Sequence, residues 1–132
     1  SRPLDFGHWS AHKLEQLSGF EVLHGEAVAI GIALDTMYAA LAGMLPESDA
    51  ERVISTLQAL GLPIFHPLLF GNDQEQPLLI GLEEFREHLG GQLTIMLLAA
   101  IGRGVEVHEL DKTLVIRAAS ELQRRLPHVQ LI

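Results

Sequence analysis

The sequence predicts a mainly α-helical protein with a small β-hairpin. Apolar residues recur at helical spacing through most of the 132 residues, broken by Gly and Pro where helices should stop. One segment is apolar on nearly every side, the mark of a buried helix. A Gly102-Arg103-Gly104 turn separates two short runs suited to strands.

Taken in order, residues 7–18 place Ala11, Leu14 and Leu17 on one helical stripe, and Gly19 supplies the stop. Residues 24–43, HGEAVAIGIALDTMYAALAG, are nearly all apolar apart from Asp35 and Thr36 and form the expected core helix. The small residues Gly25, Ala27, Ala29, Gly31 and Ala33 let other backbones approach it closely. Beyond Pro46, Val53, Ile54, Leu57 and Leu60 define an amphipathic helix from residue 47 or 48 to 60, closed by Gly61 and Pro63.

Residues 63–77 hold three prolines together with Gly71, Asn72 and Asp73, so an irregular excursion is expected, with a short apolar turn at 68–70. A further short helix spans 81–89 and ends at Gly90-Gly91. The hairpin strands are expected at 93–100 and 105–108. Residues 110–126 return to helical spacing through Leu114, Val115, Ala118, Ala119 and Leu122. Asp111 or Thr113 stands near the start of that helix, and Arg124-Arg125 near its end, where cations suit the helix dipole.

The length suits one domain, and 48% hydrophobic with 20% charged residues is too apolar for disorder. A net charge of −8 opposes binding to a phosphate backbone, so a nucleic-acid partner is not expected. No cysteine is present, so any metal must be held by His or carboxylate. The longest apolar stretch, 27–34, falls well short of the roughly 20 residues of a membrane span. With no signal-like N-terminus and no disulfide framework, a cytoplasmic location is expected.

His8 and His12 lie four residues apart on one helix face, preceded by Gly7, and His24-Gly25-Glu26 opens the next helix after a short turn. Three imidazoles can therefore converge. A catalytic zinc site uses His and carboxylate ligands and keeps an open position, with Glu26 the nearby carboxylate. Spacing alone equally suits two solvated histidines, and Glu26 also suits a helix N-terminus.

Together, Asp5-Phe6-Gly7-His8-Trp9-Ser10-Ala11-His12 and Leu23-His24-Gly25-Glu26-Ala27-Val28-Ala29-Ile30-Gly31 resemble the signature of the 3-dehydroquinate synthase family, N-x-G-H-T-x-G-H followed by L-H-G-E-A-V-A-x-G. Gly61-Leu62-Pro63 and the Ile101-Gly102 region extend the similarity along the chain. The resemblance implies a helical metal- and substrate-binding C-terminal domain over residues 1–132, with the N-terminal NAD-binding domain absent from this chain. It implies Zn2+, or another divalent metal, held by His8 and His24 together with a Glu upstream of this region. It also implies that His12 is catalytic and contacts substrate, that Glu26 buttresses the His24 turn, and that NAD is bound mainly by the missing domain.

The implied activity is that of a carbon–oxygen lyase. A sugar phosphate is transiently oxidised by NAD, loses phosphate, is reduced again and closes by aldol addition. A two-His remnant without the NAD pocket is expected to be inactive alone, and the full-length protein is expected to be a homodimer. Asp5 stands where the family has Asn, and Phe85-Arg86-Glu87 where it has Asp-Lys-Lys; both Asp5 and Arg86 are candidate substrate contacts. Adding a carboxylate and losing a cation disfavours a multiply anionic ligand, so a sugar phosphate lacking the usual carboxylate is expected. Asp5 equally suits an N-cap, Trp9 suits packing, and His66, His88, His108 and His128 read as surface or loop residues. Two alternatives carry other functions: the helical domain of a metal-dependent alcohol or glycerol dehydrogenase, and a non-catalytic metal-binding module.

Overall fold

A computed structural model describes residues 6–70 and 76–126. Along these residues run helices α1 (His8–Leu17), α2 (His24–Leu41) and α3 (Glu47–Ala59), a 3-10 turn (Pro67–Leu69), and helix α4 (Pro77–His88). Strands β1 (Ile95–Ala100) and β2 (Arg103–Val107) and helix α5 (Lys112–Arg124) follow. None of the described helices is long and apolar enough to cross a membrane.

The core helix is α2, whose residues from Ala27 to Ala39 are mostly buried and which packs against α1, α3, α5 and β1. Its sequence has no polar stripe because it has no solvent face to supply. Leu14, Ile30, Leu34, Ile54, Leu78, Leu97 and Leu122 interlock around it with almost no exposure. The antiparallel hairpin pairs Ile95 with Val107 and Leu97 with Val105, with an irregularity between Leu98 and Ala100. Its first strand alternates into the core at Ile95 and Leu97, whereas most of β2 is exposed.

Helix α4 begins at Pro77, four residues before the expected 81. Proline presets the first-turn φ and lacks only a donor that would be unpaired there. Gly81, which reads as a boundary in sequence, is a buried interior position. A Cβ on it would sit 2.8 Å from Lys13 Cγ, so glycine serves the close passage of α1 and α4. The second strand likewise starts at Arg103, inside the expected turn, because Arg103 pairs with Ala100.

Two caps explain where the helices facing the core begin. Glu26 Oε1 accepts the backbone N–H of Leu23 at 3.2 Å, closing the first turn of α2. Asp111 Oδ1 accepts from the N–H groups of Thr113 and Leu114 at 2.9 and 3.3 Å, and its own N–H donates to Tyr38 Oη at 2.8 Å. Asp111→Ala is expected to cost about 1 kcal/mol, read as a lower urea midpoint with an unchanged slope.

Candidate functional site

The start of α1 is held against α2 by a backbone crossing and a buried carboxylate. Gly7 has φ +81°, and the Cβ positions of Gly7 and Gly31 are both blocked: one on Gly31 would lie 1.9 Å from the Gly7 carbonyl oxygen. Asp35, 1% exposed, accepts the Gly7 N–H at 3.0 Å through one oxygen and the Trp9 indole N–H at 2.8 Å through the other. His8 lies between these two anchored residues. Burial raises the Asp35 pKa from an ordinary 3.8 to about 7, opposed by the hydrogen bonds from Trp9 and Gly7.

This anchoring sets the His8 and His24 rings with centroids 6.0 Å apart and planes at 54°. Two imidazoles sharing an ion through bonds of about 2.1 Å have centroids roughly 5–6.5 Å apart, so the spacing fits a common metal. The Nδ1 atoms also fit, since that of His24 lies 3.1 Å from Glu15 Oε2 and that of His8 3.4 Å from the Phe6 carbonyl oxygen. Each ring thus has an oxygen partner on one nitrogen, leaving Nε2 for a metal. Among the described residues, no group of three or more His, Cys, Asp or Glu could hold an ion, so the pair is at most part of a coordination shell.

Beside His8, a cleft of about 450 Å³ opens between α1 and α4, lined among others by His12, Lys13, Glu84, Phe85 and His88. His12 is exposed there, with the Gln16 amide nitrogen 3.4 Å from its Nε2. Lys13 donates to Glu84 Oε1 at 3.1 Å across the cleft. His88, which the sequence suggests is merely exposed, joins this wall because Gly81, Glu84, Phe85 and His88 share one face of α4. Extending α4 back to Pro77 is the signal that reveals that face.

The other named residues lie elsewhere. Arg86 is turned away from the cleft, its Nε donating to both Glu83 oxygens at 3.2 and 3.0 Å and its Nη1 to the Gly91 carbonyl at 2.8 Å. Asp5 and His128 fall outside the described residues. His66 Nδ1 accepts the Leu68 N–H at 3.1 Å and caps the 3-10 turn, while His108 Nδ1 lies 2.9 Å from the Leu93 carbonyl. Trp9 packs at 2% exposure, as expected for a core residue, yet its indole also carries the Asp35 contact.

The fold and this geometry define a helical unit that turns two imidazoles from successive helices toward each other at the edge of a cleft. The family model described as 3-dehydroquinate synthase C-terminal matches residues 1–79, and the chain belongs to that family. It is 36% identical over 115 residues to a 3-dehydroquinate synthase from Bradyrhizobium sp. strain BTAi1, covering 82% of this chain and 30% of the relative. It is also 33% identical to a 2-epi-5-epi-valiolone synthase from an Actinomyces species, over 92% of this chain and 31% of the relative. The solved structure of a 2-epi-5-epi-valiolone synthase from Streptomyces hygroscopicus subsp. jinggangensis 5008, with NAD+ and Zn2+ bound, superposes with a TM-score of 0.85. The identity is 30%, and the match covers 93% of this chain and 33% of that one. The chain therefore spans about a third of the length of these relatives.

Proposed function

We propose that the chain is the helical, metal- and substrate-binding part of an NAD-dependent sugar-phosphate cyclase that eliminates phosphate and closes a carbocycle. The carrying observation is the 6.0 Å approach of the His24 ring to that of His8, which lines the cleft. His8 and His24 would hold a zinc ion, with further ligands and the NAD pocket coming from parts of the enzyme that this chain does not span. Bound zinc would polarise the reacting hydroxyl and carbonyl groups of the substrate.

His12, exposed in the cleft on the same helix as His8, is the residue assigned to contact substrate and to pass a proton at its ring nitrogen. Among the described residues, the one ammonium or guanidinium lining the cleft, that of Lys13, is already paired with Glu84. A cleft so neutralised favours a sugar phosphate without an additional carboxylate.

Zinc titration of the chain, followed by calorimetry, tests the metal assignment. His8→Ala and His24→Ala are each expected to weaken binding by at least about tenfold, whereas His88→Ala should leave it within about twofold. Equal affinity in the parent and both ligand variants would remove the assignment. Phosphate release from carboxylate-bearing and carboxylate-free sugar phosphates, with the nucleotide-binding part of a relative supplied, tests the activity and the substrate. No release from either type would count against a cyclase.

A further inference from the structure

We infer that Glu15 is a positioning residue that fixes the tautomer and heading of His24, so that its Nε2 lone pair is the one presented to metal. The inference rests on the reading that His8 and His24 share an ion. Glu15 Oε2 lies 3.1 Å from His24 Nδ1. An ionised carboxylate can only accept, so a neutral His24 must carry its proton on Nδ1, and Nε2 is left as the electron-pair donor. Free imidazole side chains favour the opposite tautomer, with the proton on Nε2 and no lone pair there.

The two partners are unequally held. The Glu15 side chain is 16% exposed and that of His24 65%, so the carboxylate is the anchor and the ring is what it steers. The Glu15 backbone carbonyl accepts from Ser18 Oγ at 3.1 Å and from the Phe20 N–H at 2.8 Å. Ser18 Oγ in turn accepts the Val22 N–H at 3.2 Å. One residue therefore pins both the α1–α2 turn and the imidazole that follows it. Phe20 adopts φ +66°, a left-handed conformation that an aromatic residue holds only where surrounding bonds over-determine it.

Glu26, the neighbouring carboxylate, is engaged by the Leu23 N–H and does not compete for the ring. Since a hydrogen bond to a ring as exposed as that of His24 adds little stability, the consequence of losing the Glu15 carboxylate should fall on metal affinity rather than on folding.

The test uses the 132-residue chain with 15N-labelled histidine. Long-range 15N–1H correlation without metal, at about pH 8, should report the Nδ1–H tautomer for His24 in the parent and a shift to Nε2–H in Glu15→Ala. Zinc affinity should fall about tenfold or more in that variant, with little change in its thermal midpoint. Glu15→Gln, which keeps the side-chain shape, covers the case in which the alanine variant fails to fold; its zinc affinity should fall too. The inference is overturned if parent His24 carries its proton on Nε2. It is equally overturned if both Glu15 variants bind zinc like the parent while His24→Ala does not. If His8→Ala and His24→Ala bind zinc like the parent, the metal reading fails instead, and the metal-free tautomer still decides the role of Glu15.

Discussion

Replacing Asp35 with Leu is expected to lower the unfolding free energy by about 2–6 kcal/mol near pH 5, and by markedly less near pH 8. The loss at pH 5 comes from two buried donors, the Gly7 N–H and the Trp9 indole N–H, that would be left without a partner at roughly 1–3 kcal/mol each. Its pH dependence comes from the parent. Folding raises the Asp35 pKa to about 7, so between 3.8 and about 7 the native state keeps a proton that the unfolded chain releases. Parental stability from this group is therefore fully present below about pH 4 and declines as pH rises to about 7, after which it levels off.

Between pH 5 and pH 8 the parent should lose about 2–3 kcal/mol through this group, and the leucine variant loses none of it. Urea unfolding of both proteins across that range isolates the effect, because the other titrating groups are common to them. A parent–variant difference that stays constant with pH would show that Asp35 is ionised in both states. The variant should also bind zinc more weakly if His8 is a ligand, since Asp35 anchors the residues on either side of it.

The second large effect is expected at Gly31. An alanine Cβ there would lie 1.9 Å from the Gly7 carbonyl oxygen and 2.8 Å from its carbon, and backbone atoms cannot rotate aside as a flexible side chain can. Relief requires the start of α1 to move off α2 by more than an ångström. Gly31→Ala should therefore cost about 3 kcal/mol or more, at or above the usual range for overpacking. Gly25→Ala provides the contrast within the same helix: its Cβ meets nothing within 4 Å, so it should be neutral or slightly stabilising. Thermal unfolding of the two variants beside the parent makes the comparison. Equal midpoints for Gly31→Ala and the parent would mean that α1 and α2 do not cross as closely as described.

The helices were readable because each carries its own pattern. Val53, Ile54 and Leu57 mark α3, and Asp111 caps α5 as its place before an apolar periodic run suggests. The start of α4 was not readable, because Gly81 looks like a stop until Lys13, distant in sequence, is seen to need the space. The place of His88 is hidden for the same reason, since its face of α4 becomes a face of the cleft only when α1 lies across it.

What the sequence determined alone was the helical class, the hairpin and the family signature, all of which reside in local spacing and residue type. Only the tertiary structure decided which carboxylate serves which histidine. Glu26, adjacent in sequence, closes its own helix, Glu15 from the preceding helix reaches His24, and Asp35, embedded in an apolar run, anchors the residues flanking His8. The reason is geometric. A hydrogen bond depends on atoms brought within about 3 Å, and across two packed helices that distance is set by the Gly7–Gly31 crossing rather than by separation along the chain.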